Sequence, residues 1–329
     1  MSTHHGFRPT NNADSIARSF DPSIDIATFK QSFDSSKRYG ASNFTSLDFV
    51  NETYYGKNTP NKFDNIFTHS RVSNATMVDS DGLVKWAPHN FFLHSYGDGF
   101  TNAYWTNNGL TITDGEMFGS LQSKKWTVNA VTERLGLGRG DPIAVGYESP
   151  GKSVRFFVVA KADEWTHITH TSNLPFGYVA FNLSTGTVDG NTLVGVNATT
   201  GMISLGDGWY YCYVDRDTQQ FLDPAWTVRN ASNYTSSGPD SNTTGDGVSG
   251  IHVYCVGAYR KDLGGMVDNP DPVATGLEDY FPTTTVAYAS RRSHHEYNGT
   301  TWVNKGLLLE ARSSTNIITY SSNIKSNVG

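Results

Sequence analysis

Seven short runs rich in Val, Ile, Tyr, Phe and Thr recur beyond residue 66: KWTVNAV, KSVRFFVVAKA, WTHITHTS, GYVAFNL, GMISLG, GWYYCYVD and GIHVYCVGAY. Such residues suit a pleated, half-buried surface. Turn chemistry stands between the runs, in SPG, STG, LGDG and TGDG. No helical pattern of about 10–15 residues separates them, which argues against a parallel α/β sheet. The pattern predicts an all-β fold, an antiparallel β-sandwich. In GWYYCYVD, alternation gives Trp209, Tyr211 and Tyr213 one face and Tyr210 with Cys212 the other. One of these faces must be core.

Composition narrows the function classes. Charged residues are 17% of the 329, below the roughly 25% of ordinary globular domains. Gly, Asn, Ser and Thr fill the gap, a mixture that suits short strands and many turns. The net charge is −6 and no basic block stands out, so no nucleic-acid partner is expected. The strongest apolar run, VRFFVVAKA, has strand length and falls short of the roughly 18 residues of a membrane helix, so no membrane insertion is expected. The polar opening MSTHHGFRPTNNADS lacks the apolar stretch of a secretory signal. Cys212 and Cys255 sit in strand-like runs and read as free buried thiols, since two cysteines in a chain this long make no disulfide framework.

The first 65 residues are of another kind. Residues 1–20 read as an arm. A helix is predicted from Pro22 or Ser23 to Gly40, with Ile26, Phe29 and Phe33 at i, i+3 and i+7. Residues 41–65 are polar with scattered aromatics, among them Phe44, Phe49, Tyr54 and Tyr55. Such a segment cannot close a core alone, so these rings and Phe29 and Phe33 are expected to dock on a neighbouring surface.

The phrases FTHSRVSNATMVDSDGLVKWAPHNFFLHSYGDGFTNAYWT, FNLSTGTV, GDGWYYCYV, TGDGVSGIHVYCVGAY, YFPTTTVAYASRR and NKGLLLEARSSTNIITYSS follow one another across residues 66–325. Their order resembles segments of bacteriophage tail-fibre and virion structural proteins that carry jelly-roll, carbohydrate-binding-like modules. The resemblance implies a virion-attachment arm over 1–65, a β-rich connector over 66–89, a jelly roll over 90–285, and over 286–329 a connector that begins a further module. It implies a structural and adhesion protein of the phage particle, made in the host cytoplasm, and no enzyme. Its partners would be other tail or baseplate proteins through the arm, copies of itself (a trimer) and a host-surface glycan. A capsid decoration or head-fibre protein, or a polysaccharide depolymerase with its active site outside this stretch, are the alternatives. This chain departs from the Leu-rich opening strand of the family, carrying Phe91, Phe92 and His94 instead.

Candidate chemistry in the residues is sparse. Cleaving a polysaccharide takes two placed carboxylates, and most acids here stand in turns such as DSDG and DNPDP. His167 and His170 of HITH are three apart on a predicted strand, so they face opposite ways, and adjacent His294 and His295 do likewise. DSDG has the opening of a Ca²⁺ loop but lacks its later ligands. No metal and no cofactor is expected. Sugar binding uses aromatic faces beside polar groups, which makes Trp165, Tyr178, Tyr211, Trp126 and Trp226 the glycan-contact candidates. For each of them, core packing is the competing reading.

Near the end of the chain, Asn316 opens STNIITYSS much as Asn90 opens HNFFLHSYGDG. A strand opening without partner strands leaves unpaired backbone groups. The natural chain is therefore expected to continue past Gly329.

Overall fold

The computed structural model describes residues 46–56, 59–61, 74–138, 152–173, 176–191, 198–217, 224–230, 242–266, 277 and 280–308. The chain divides into two units, Met1–Thr68 and His69–Gly329. In the first, β1 (Ser46–Asp48), β2 (Thr53–Gly56) and β3 (Thr59–Asn61) form an antiparallel sheet in that order. The helix predicted over residues 22–40 lies outside the described residues.

The second unit begins with a hairpin of β4 (Thr76–Val78) and β5 (Val84–Trp86). There follow β6 (Thr106–Asn108), β7 (Leu110–Phe118), β8 (Leu121–Val128), β9 (Thr132–Glu133), β10 (Gly136–Gly138) and β11 (Ser153–Ala162). Next come β12 (His167–Asn173), β13 (Phe176–Asn182), β14 (Thr187–Asn191), β15 (Thr199–Gly206) and β16 (Trp209–Asp217). The rest are β17 (Ala225–Arg229), β18 (Thr243–Thr244), β19 (Gly250–Arg260), β20 (His294–Tyr297) and β21 (Trp302–Gly306). Two six-stranded sheets dominate, ordered β14-β13-β12-β17-β10-β6 and β15-β16-β11-β19-β8-β7. Every pairing is antiparallel among the described residues, and all seven runs of the sequence lie on strands.

The core lies between the two sheets. From β11, Val154, Phe156, Val158 and Ala160 enter it. They meet Ile168, Val179, Phe181, Trp226 and Val228 of the facing sheet. The alternate residues Phe157 and Val159 enter a second apolar cluster on the outer face, with Trp209, Tyr254, Met266, Leu277 and Tyr280. A strand buried on both faces reads as an unbroken apolar run, which is the physical reason for VRFFVVAKA. Each large apolar side chain so buried contributes about 1.5–3 kcal/mol. Cys212 points to the inner core and Cys255 to the outer cluster, so the two thiols are free and buried on opposite faces of one sheet.

β19 breaks its own alternation. Val159 pairs with Cys255 and Ala160 with Val253, so Tyr254 is the extra residue of a bulge. Tyr254 and Cys255 therefore both face the outer cluster, while Val253 and Val256 face inward.

The core does not stop at residue 285. Ala287 and Tyr288 belong to it, and His89 bridges to Tyr288 in the backbone ladder. The hairpin β20–β21 packs on β4–β5: the Val78 N–H donates to His294 Nδ1 at 3.1 Å, and Arg291 donates to the Thr76 carbonyl at 3.4 Å. The segments read as two separate connectors thus meet.

Candidate functional site

The stretch HNFFLHSYGDGFTNAYW enters the fold as a wall shared with the exit segment. Phe91 and Phe92 are fully buried anchors. The N–H groups of His94 and Ser95 donate to the carbonyls of Thr284 (2.9 Å) and Thr283 (3.1 Å). The Ser95 hydroxyl lies 2.7 Å from the Tyr280 hydroxyl and accepts from the Thr283 N–H at 3.1 Å. The Thr283 hydroxyl donates to the Phe92 carbonyl. Beyond this ladder the chain turns through a short 3-10 segment, Gly97–Thr101. Phe100 plugs that turn into the core, edge-on to Trp126 at 5.3 Å.

His94 is the strained point of the wall. Its φ is 49°, a left-handed conformation uncommon for a residue with a side chain. The surroundings over-determine it. Its carbonyl accepts from Trp105 Nε1 at 3.1 Å. Gly99 approaches it so closely that a Cβ there would lie 2.7 Å from the same oxygen.

Between this wall and the exit segment opens a cleft of about 630 Å³, lined by His94, Tyr96, Asp98, Asn102, Thr283 and Thr284 among others. Tyr96 is 37% exposed. Burial pushes the His94 imidazole below its usual pKa, so it is neutral at pH 7. Asp98 holds its carboxylate in solvent, 2.5 Å from Lys124 Nζ. The hydrogen bonds that Lys124 donates to Asp114 and then to Asp98 raise its pKa, so that ammonium stays charged. The cleft therefore offers one aromatic ring, hydroxyls, an amide, a neutral imidazole and a compensated carboxylate. Such a set hydrogen-bonds a polar ligand. Asp98 is the sole carboxylate lining it among the described residues, and glycoside cleavage needs a pair.

A charge lattice lies elsewhere on the β8–β19–β11 surface. Lys161 meets Glu116 at 2.5 Å, and Lys125 meets Asp163 at 2.6 Å and Glu164 at 2.9 Å. His252 Nδ1 accepts from the Glu116 N–H at 3.2 Å, which turns its Nε2–H toward Asp163 at 3.3 Å. Every charge in this lattice has a partner of opposite sign or a hydrogen bond, so it reads as a brace across strands.

The glycan-contact candidates lie apart from the cleft. Trp126 and Trp226 are fully enclosed in the inner core, and Trp165 is buried there too. Tyr178 is buried. Tyr211 stacks on Phe157 at 4.8 Å in the outer cluster. The four buried side chains turn no open ring face to solvent, whereas Tyr211 is partly buried. Both faces of GWYYCYVD pack on apolar clusters, with Tyr210, Tyr211 and Tyr213 partly buried, which alternation alone does not reveal. The exposed rings of this unit among the described residues are Trp86, Tyr96, Tyr297 and Trp302. None was singled out from the sequence. The signal for Tyr96 is its place in SYGDGF, an aromatic directly before a turn.

Of the attachment candidates, Phe29, Phe33 and Phe44 lie outside the described residues. Tyr54 is buried, edge-on to Phe49 at 5.9 Å, and Tyr55 is half-buried.

The histidines diverge as alternation requires. His167 pairs with Asp189 at 3.0 Å, whereas His170 lies in the core against Phe156 and Trp226. His294 bonds Val78 and His295 faces the Ser293 carbonyl. No group of three or more metal-ligating side chains occurs among the described residues, and none of their helices is long and apolar enough to cross a membrane. Neither a protein-family model nor a curated protein matches the chain.

Proposed function

We propose that the chain is a structural and adhesion protein of a bacteriophage virion, a tail fibre or tail-associated protein. Its N-terminal arm anchors to other tail proteins, and its sandwich is a jelly-roll, carbohydrate-binding-like module held out toward the host surface. Copies associate as a trimer, so weak contacts with a surface glycan add up.

One observation carries this reading. The phrase HNFFLHS, which resembles the opening of such a module, and the phrase YFPTTTVAYASRR, which resembles its exit, lie side by side. Asn90 donates from its side chain to the Phe281 carbonyl at 3.0 Å, and its N–H donates to Ala287 at 2.8 Å. A module that begins and ends at one place is suited to insertion in a row of modules, because its neighbours then join at a single edge. Fold-level likeness alone is weak support for function, so the reading rests on this joint occurrence.

The test is immunogold electron microscopy of phage particles with antibody raised against residues 69–329. Label on tail fibres or the tail tip is the expected result. Label on the head would replace the reading with capsid decoration, and particles without label would overturn it. Release of reducing ends from host polysaccharide by the purified chain would instead place it among depolymerases.

A further inference from the structure

We infer that the cleft beside Tyr96 is a binding site for an uncharged pyranose. The inference rests on the adhesion reading for its ligand class and on the cleft for everything else.

Shape and chemistry converge on that class. A polyhydroxylated ring has apolar C–H faces and a polar rim, and it is held by an aromatic face with hydrogen-bonding groups beside it. The cleft supplies both. Tyr96 lines it as a partly exposed ring, and His94, Asn102, Thr283 and Thr284 stand around it. Because His94 is neutral, its ring offers both a donor and an acceptor.

Charge narrows the class further. An acidic sugar would bring its carboxylate near Asp98 and Asp114, two carboxylates that share the single ammonium of Lys124 at 2.5 Å and so keep a net negative charge. A cationic ligand would have to displace Lys124, which holds Asp98 at 2.5 Å. A neutral ligand meets neither obstacle. Its hydroxyls can also donate to the exposed Asp98 carboxylate, which is 92% accessible.

The backbone points to the same place. Left-handed His94, fixed from three sides, holds the two walls at a set separation. Strain kept in an over-determined setting is characteristic of ligand-holding positions. With one ring for stacking, the affinity of a single copy is on the order of 1 mM.

Saturation-transfer NMR on the full chain tests this. The probes are methyl glycosides of the common neutral hexoses, N-acetylglucosamine, N-acetylgalactosamine and, as the charged control, N-acetylneuraminic acid. At least one neutral sugar is expected to bind, at least about fivefold more tightly than the acidic one. Tyr96→Phe should keep that affinity within about twofold, and Tyr96→Ala should lower it at least about fivefold with an unchanged melting curve. Asp98→Asn should narrow the gap between neutral and acidic sugars. Absence of transfer from every neutral probe, equal binding of the acidic sugar, or undiminished binding by Tyr96→Ala would each overturn the inference. Labelled tails without sugar transfer would remove the site and leave the adhesion reading. Sugar transfer lost in Tyr96→Ala, with unlabelled particles, would do the reverse.

Discussion

The side-chain oxygen of Asn90 accepts a hydrogen bond from the backbone N–H of Ala258, 3.1 Å away and 168 residues further along the chain. The same oxygen accepts from the Phe92 N–H at 3.1 Å, and the amide nitrogen donates to Phe281. One buried amide thus ties the opening segment to β19 and to the exit segment.

Asn90→Ala would leave two buried N–H groups and one carbonyl without that partner. Each such group costs about 1–3 kcal/mol. With three groups affected, we expect a loss of at least about 3 kcal/mol in denaturant melts. Asn90→Asp should be no better, because it removes the donor and buries a charge. A loss below about 1 kcal/mol for Asn90→Ala would show that the tie is replaceable.

His170 governs an acid-labile step. Its ring is fully buried, stacked on Phe156 at 5.0 Å, and neither ring nitrogen has a hydrogen-bond partner among the described residues. Burial first, then the positive fields of Arg216 and Arg134, hold its pKa well below the usual value. The folded pKa is thus lower than the unfolded one of about 6.5. The resulting stability is complete above that unfolded value and is lost as pH falls below it. His170→Leu should flatten the decline between about pH 6.5 and 5 by up to about 1.4 kcal/mol per pH unit. Some slope will remain, because burial also depresses His252. Parallel pH dependences of the two proteins would refute the assignment.

How much of this was legible beforehand depended on range. The seven strand runs could be read because alternation and β-branching are local properties of a segment. The free cysteines were legible from their count, since two cysteines make no disulfide framework. The bulge at Tyr254 was not, since it exists only in the pairing of β19 with β11. Alternation assigned Trp209 and Tyr210 to different faces of β16 but could not say that both faces are covered. The cleft had no local signature, because His94 and Thr284 are brought together by the ladder between the opening and exit segments. Trp126 and Trp226 were ambiguous because core packing and sugar stacking favour the same residue type.

Trp302 lies directly on Gly82. A Cβ on that glycine would stand 2.2 Å from indole Cε2, and the glycine's φ is +78°. Gly82→Ala therefore meets both a clash and an unfavourable backbone. Overpacking costs about 1–3 kcal/mol and the left-handed conformation about 1–2 kcal/mol. In a Trp302→Ala background the clash disappears and only the backbone part should remain. A double-mutant cycle by equilibrium melts should give a coupling of at least about 1 kcal/mol. Equal costs of Gly82→Ala in both backgrounds would remove the contact from the account of how the two hairpins meet.

Trp226 discriminates between a core role and a glycan role. Its ring is enclosed by the inner core, 4.8 Å from His170 and 6.2 Å from Phe181, and its Nε1–H has no hydrogen-bond partner among the described residues. Truncation to Ala should cost about 3–5 kcal/mol through the cavity it leaves. Trp226→Phe should cost far less, about 1–2 kcal/mol, because the smaller cavity is partly offset by removing an unsatisfied donor. Trp126, also fully buried with its N–H unpaired among the described residues, should behave alike. The sugar readout separates this from a surface role. Trp226→Phe should leave saturation transfer unchanged, where Tyr96→Ala abolishes most of it. A folded Trp226→Phe protein that loses sugar binding with unaltered stability would return the stacking role to the interior tryptophan and take it from Tyr96.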